Sequence, residues 1–516
     1  MSELVVIGGG VAGLASAILA ADQGHQVTLL EKNPQLGGRA GLHKEAGFTF
    51  DTGPSWYLMP QVFERFFASV GEDVREHLDL VTLDPGYRVS DRGLLDSAPQ
   101  LTVDIPHGYA GVRTLFEQLE PGTGPALDAY VDSARDTHDL ALEHFLYTRF
   151  SCVREFTSPQ VARQAHRLPR FLLSPLDTMV SRTVTHPLLR QILGYPAVFL
   201  GTEPRRAPSL FHLMSYLDLV DGVRYPRGGM YEIVRALTRL ARARGVDIRT
   251  STQVVSLQLE GRTIAEVVAR TVPGTTSGGV QVDAGVQAPG GARLEVFPAE
   301  NVIAACDLHH VDTALLPPGK HTRSVRGWAK RDPGIGAVTL LLGVDRTLDS
   351  LEHHNLFFTR DWDANFDEIF VRGQLPEPAS AYVCAPSRTD ATVAPPGCEN
   401  LFVLIPAPAS AHLTGARLGN YASRVIDSLG ERVGVPDLES HLVVKRVTGP
   451  GDFTTQFNAW RGTALGPANT LFQSAMFRYP VRAPHVDNLV YAGAFAAPGV
   501  GLPMCLISAH NAVEAL

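Results

Sequence analysis

Gly8, Gly10 and Gly13 stand in G-x-G-x-x-G spacing directly behind an apolar run, Leu4-Val5-Val6-Ile7. A strand that ends in this spacing and turns into a helix cradles a pyrophosphate. Gly8 permits the tight turn, Gly10 lets the backbone approach the phosphates, and Gly13 lets the helix pack on the strand. The first helical N–H groups, around Val11 and Ala12, then face the phosphate oxygens. Glu31 closes a second apolar run, Val27 to Leu30, 18 positions after Gly13, and Lys32 follows it. A carboxylate there accepts hydrogen bonds from ribose hydroxyls and repels a 2′-phosphate. The ligand class is an adenine dinucleotide, and NADP is disfavoured. His309-His310 and His353-His354 are pairs with no third ligand at metal spacing, so they read as surface or turn residues and no metal is expected.

The elements that position these residues follow from pattern. An apolar helix runs on from Gly13, Gly24 caps it, and the second strand ends at Glu31. An amphipathic helix from Ile233 to Ala243 stops at Gly245 and leads into short strands at 246–249 and 253–257. A buried strand at 301–307 and a last strand at 488–493 precede a glycine-rich turn and a closing helix, 504–515. A helix that starts on Gly and Pro leaves its N–H groups bare. Residues 110–200 read as helical segments broken at prolines. The stretch 273–293 reads as an exposed Gly-, Thr- and Ser-rich loop. At 516 residues the chain exceeds one simple core. Its apolar fraction of 45% is globular, and a net charge of −8 argues against nucleic-acid binding. Five widely spaced cysteines without C-x-x-C fit a reducing compartment. No signal peptide and no spanning helix are read.

Several stretches together resemble one family: VVIGGGVAGL, LLEKNPQLGGRAG, FDTGPSWYLMP, YPRGGMYEIV, WRGTALGPANTLFQSAMFR and NLVYAGAFAAPGVGLPMCLISAHNA. In this order they are similar to the bacterial FAD-dependent phytoene (carotenoid) desaturases, over the whole chain. The resemblance implies an α/β fold: a discontinuous Rossmann-type FAD-binding domain (1–80, 220–307 and 485–516), a helical membrane-associating region (81–219) and an inserted α+β substrate domain (308–484). It implies that Gly8, Gly10, Val11, Ala12 and Gly13 hold the pyrophosphate and Glu31, with Lys32 beside it, the adenosine ribose. Gly38 and Arg39 would line the phosphate and ribityl path. Gly53, Pro54, Ser55 and Trp56 would border the isoalloxazine with Asp51, which is a weak candidate for catalysis and equally a turn cap. Val254 would meet the adenine through its backbone. Gly493, Gly499, Val500 and Gly501 would face the far edge of the flavin. Phe495, Ala496 and Ala497 depart from the family pattern after Gly493.

The implied activity is desaturation, with isomerisation, of phytoene to lycopene or a related conjugated carotene. A hydrocarbon of this length gains roughly 30 kcal/mol on leaving water, at ~0.8 kcal/mol per CH₂. The enzyme must therefore meet it at a membrane surface, here the inner face of the cell membrane. The expected contact is 149–200, where seven arginines face two acids among apolar groups such as Leu188-Leu189 and Ile192-Leu193. Oxygen or a quinone would reoxidise the cofactor. Trp460 and Phe472 are expected to pack a tunnel or core. Three alternatives stay open: another flavin oxidase, a carotenoid oxygenase or ketolase, and a non-catalytic prenyl-lipid carrier.

Overall fold

The computed structural model describes residues 2–96, 100–148, 168–271, 293–474 and 477–516, with the side chains of 168–170 excepted. The apolar run at the start forms β1 (Glu3–Ile7), followed by α1 (Val11–Asp22) and β2 (Gln26–Leu30). Much later come α2 (Tyr231–Ala243), β3 (Asp247–Arg249), β4 (Asn301–Ala304), β5 (Leu489–Tyr491) and α3 (Leu502–Val513). The five strands make one parallel sheet in the order β5-β4-β1-β2-β3. A parallel sheet needs helices on its faces, and α1, α2 and α3 share one apolar cluster there. In α2 the buried positions are Ile233, Val234, Ala236, Leu237, Leu240 and Ala241, which is the one-sided spacing read from the sequence. Gly245 ends the run with φ +76°.

A second, seven-stranded sheet lies beyond. In order its strands are Leu442–Thr448, Ile335–Val344, Glu399–Pro408, Ala381–Cys384, His354–Phe357, Tyr87–Ser90 and Thr102–Ile105. This corrects the expected helical character of 81–219 at its start. Asn355 pairs with Arg88 and Phe357 with Ser90, so 87–105 extends the sheet of the 308–484 region. Helices do follow, among them Gly124–His144, Leu176–Thr183 and Pro187–Gly194. Three antiparallel strands, Thr252–Glu260, Thr263–Thr271 and Arg293–Pro298, flank the loop expected at 273–293, which but for Arg293 lies outside the described residues.

The membrane contact expected at 149–200 needs a correction. Residues 149–167 lie outside the described set. Leu188, Leu189, Ile192 and Leu193 are buried, packed with Leu176, Val180 and Tyr195, and Arg190 is paired with Asp177 at 2.9 Å. The apolar groups at 188–193 are core, whereas Leu173, in the same stretch, is 73% exposed. Among the described residues, no helix is long and apolar enough to cross a membrane.

Candidate active site

The turn between β1 and α1 is built as its glycines require. Gly8 has φ +105°, and Gly13 is so close to it that an added Cβ would lie 1.9 Å from the Gly8 carbonyl oxygen. Gly10 differs. Its φ of −72° and ψ of 179° suit any residue, and a Cβ there would find nothing nearer than the Gly37 carbonyl oxygen at 3.9 Å. Among the described residues no neighbour demands glycine at position 10; the space it leaves fits an approaching phosphate. Glu31, buried behind the turn, accepts from the Gly9 N–H through Oε2 (2.7 Å) and from the Asn33 N–H through Oε1 (2.7 Å). Burial pushes its carboxyl above the usual range against the pull of these amides. The Lys32 ammonium donates to the Thr455 carbonyl at 2.6 Å and to Asn458 at 3.0 Å.

Gly37 and Gly38, at φ +109° and +58°, fold the next loop back onto the first, with the Gly37 N–H donating to the Gly9 carbonyl at 2.8 Å. This carries Arg39 into the interior. Its Nη2 reaches the Thr463 carbonyl at 3.3 Å, its guanidinium lies 5.6 Å from the Phe457 ring centroid, and its buried Nε has no hydrogen-bond partner. Burial holds its pKa down and the nearby Asp307 carboxylate raises it. A half-buried guanidinium with a buried, unpartnered N–H, on a loop whose Gly38 lies against Gly10, fits a dinucleotide's phosphates. Gly53 packs against this loop so closely that a Cβ would sit 2.0 Å from the Arg39 carbonyl oxygen.

The C-terminal segment comes to the same edge of the sheet. A Cβ on Gly493 would lie 3.5 Å from that of Ala12, and the Gly493 N–H donates to Ser508 in α3 at 3.0 Å. Gly499 and Gly501, at φ +146° and +121°, lead through Val500 into α3. Phe495 does not face this opening: it is buried against Trp328, at 6.2 Å between centroids. Val254 is a core side chain in the cluster of Leu30, beside a strand irregularity at Val255.

Two residues unassigned in the sequence complete the cradle. Asp307 follows β4 and accepts from the N–H groups of Trp460 (2.9 Å), His309 (3.0 Å) and His310 (3.3 Å); burial pushes it up to about 6. Its position just past the C-terminal end of a parallel strand is the available signal. Arg478, also buried, donates to the carbonyls of Ala494 and Ala496 and to Asn469, and so braces the C-terminal loop.

Asp51 is corrected as a catalytic candidate. Its two oxygens accept the N–H groups of Met230 (2.7 Å) and Tyr231 (2.9 Å), so it caps the start of α2, and burial pushes it up to about 7. Beyond Pro54 the chain presents Ser55 and Trp56 to a wall of aromatic side chains. The Trp56 ring stacks on His354 (4.8 Å) and meets Tyr87 (5.2 Å), Phe199 (5.5 Å) and Tyr382 (6.2 Å). The Tyr382 hydroxyl donates to Ser55 at 2.7 Å and lies 2.7 Å from His354 Nδ1. His354 Nε2 is buried and has no hydrogen-bond partner among the described residues; it carries a lone pair in the tautomer whose Nδ1–H donates to Tyr382. His353 and His354 are therefore not surface residues. One ring nitrogen of each and the Cys384 Sγ all lie within 4.8 Å of one another.

Asp218 is buried in the same wall and accepts from the Tyr87 hydroxyl at 2.8 Å; burial pushes it up to about 7. Because its folded pKa exceeds the unfolded value of about 3.9, folding favours the protonated form. Stability is lost as pH rises from there through about 7, then levels. Asp218→Asn, which keeps an acceptor for Tyr87 and cannot ionise, is expected to gain on the wild type across that window, by on the order of 4 kcal/mol at its end. Denaturant melts at a series of pH values check it, and parallel curves for the two proteins would refute it.

The sequence model of the flavin-containing amine oxidoreductases matches residues 11–516. A carotenoid 3,4-desaturase of Haloarcula japonica is 37% identical across all of this chain and 98% of its own length. A zeta-carotene-forming phytoene desaturase of Myxococcus xanthus is 33% identical across all of this chain and 93% of its own. The chain belongs to the carotenoid desaturases of the flavin-containing amine oxidoreductase family. It is an FAD-dependent oxidoreductase, and the glycine turn, Glu31 and Arg39 are the residues that fit FAD. Among solved structures, an oxidoreductase of Methanosarcina mazei shares the fold at a TM-score of 0.61 and 16% identity, covering 99% of this chain and 100% of that one.

Proposed function

We propose that this enzyme desaturates, and isomerises, phytoene to lycopene or a related conjugated carotene, taken from a membrane surface. The observation that carries this reading is an open phosphate cradle, at Gly10 and Arg39, joined through Gly53 and Ser55 to an aromatic wall around Trp56. FAD, when bound, accepts the electron pair that leaves the carbon chain. The residues on the wall do the rest. Trp56, Tyr87, Phe199 and Tyr382 offer flat apolar faces to a polyene. In the tautomer with its proton on Nδ1, His354 Nε2 is the acceptor for the departing proton. Burial keeps this imidazole neutral, and a weak base suffices for a C–H beside an electron-deficient allylic carbon.

The 37% identity to a carotenoid 3,4-desaturase favours a second reading, in which the substrate is a carotene already conjugated. Expression in one host that accumulates only phytoene and another that accumulates lycopene separates the two. New, red-shifted pigment in the first supports the leading reading. New pigment only in the second supports the alternative, and none in either overturns both. His354→Phe, which keeps the stack and removes the lone pair, is expected to cut pigment by about 10²-fold or more with flavin retained.

A further inference from the structure

Three of the exposed large apolar side chains are carried by two segments tied to one another. Val325 is 66% exposed, Phe472 70% and Phe477 45%. Phe472 was expected inside and is not. Its ring meets that of Phe477 edge-on at 5.8 Å. Arg331 donates to the carbonyls of Phe472 (2.6 Å) and Phe477 (3.2 Å), and Arg323 to that of Phe477 (3.3 Å). Phe472 and Phe477 are thus each tied through their carbonyls to the segment that bears Val325. That segment, 320–331, carries Lys320, Arg323, Arg326, Lys330 and Arg331 and no acid, in a chain of net charge −8. Arg326 and Lys330 make no ion pair among the described residues, and buried Trp328 anchors the helix between them.

We propose that Val325, Phe472 and Phe477, with Arg326 on the helix that bears Val325 and Lys330 at its C-cap, dock this enzyme on an anionic lipid bilayer. Exposed aromatic rings beside cations suit the interface, where rings enter the acyl boundary and cations meet anionic headgroups. A protein partner does not explain the match to the substrate, which the proposed function makes a long apolar polyene; the inference rests on that reading. The placement also suits delivery. Phe477 is followed directly by Arg478, which braces the Ala494–Ala496 loop, and a Cβ on Gly499 would lie 3.4 Å from its guanidinium carbon.

The test is co-sedimentation of the holoenzyme with vesicles of phosphatidylcholine, alone or mixed with phosphatidylglycerol. Wild type is expected to sediment with the mixed vesicles and to be released by salt. The double variants Phe472→Ser/Phe477→Ser and Arg326→Glu/Lys330→Glu are each expected to lose about tenfold in binding, with flavin absorbance unchanged as the sign of an intact fold. Wild type that stays in solution, variants that bind as wild type does, or variants that change only self-association would each overturn the proposal. Turnover of phytoene in detergent separates this from the reaction. Variants active in detergent and idle on vesicles support the docking surface, whereas a wild type that binds vesicles but never turns over phytoene sinks the reading of the reaction.

Discussion

Gly13→Ala is expected to yield a colourless, destabilised protein, whereas Gly10→Ala is expected to yield a colourless protein that folds as well as the wild type. The two glycines share one turn and differ in what surrounds them. At position 13 a Cβ would sit 1.9 Å from the Gly8 carbonyl oxygen and 3.4 Å from the Ala305 Cβ. The first contact is with backbone, so α1 must move off β1, which loses packing and spoils the phosphate turn together. Overpacking of this kind costs about 1–3 kcal/mol, and more where backbone must yield. At position 10 the backbone is already extended and the nearest atom is 3.9 Å away. Alanine there is stabilising by about 0.4–1 kcal/mol through the unfolded chain. Its methyl group takes the space left for the phosphate, so FAD binding should weaken by at least about 100-fold, equivalent to ~2.7 kcal/mol. Flavin content at 450 nm and melting of the flavin-free proteins check the pair. Full flavin occupancy in Gly10→Ala would remove the pyrophosphate assignment, and equal melting of the two variants would remove the packing argument.

The cradle was legible in the sequence because backbone geometry there dictates residue type. Gly8 and Gly13 cannot carry a side chain, Glu31 must end its strand, and the short loop returning through Gly37 and Gly38 delivers Arg39. The parallel sheet was legible for the same reason: its strands are continuous apolar runs next to helices of clear period. The wall around Trp56 was not. Tyr87 and Asp218 meet across 131 positions of sequence, and Tyr382 and Ser55 across 327. Such pairs arise only when the seven-stranded sheet closes, and no local pattern announces them. Composition also misplaced two apolar sets. Leu188 to Leu193 looked interfacial and are core, and Phe472 looked like core and is exposed. An apolar side chain beside arginines has the same local pattern in both settings. Only the fold decides which side of it faces water.

Arg39→Met is expected to weaken cofactor binding while leaving the flavin-free protein at least as stable as the wild type. The side chain is half-buried, its Nε is buried and unpartnered, and its one hydrogen bond among the described residues, to the Thr463 carbonyl, is 3.3 Å long. A charge so thinly compensated adds little stability in the absence of a ligand, and an apolar residue of similar length keeps the packing without the desolvation cost. The change does not strand Asp307. That carboxyl is pushed up to about 6 by burial while Arg39 pulls it down, so without the arginine it keeps its proton more readily still. The flavin-free variant should therefore melt at or above the wild-type temperature. FAD, in contrast, loses the cation that the Gly37–Gly38 loop delivers. Charge-assisted bonds to phosphate are roughly twice as strong as neutral ones, and a loss of about 100-fold in affinity follows, ~2.7 kcal/mol. Arg39→Lys restores the charge without the fork and should recover part of it. Flavin fluorescence titrations on the flavin-free proteins decide the matter. Affinity within about threefold of wild type, a difference of only ~0.7 kcal/mol, would mean that Arg39 holds the Thr463 loop rather than the cofactor, and the melting temperature of Arg39→Met should then fall instead of rise.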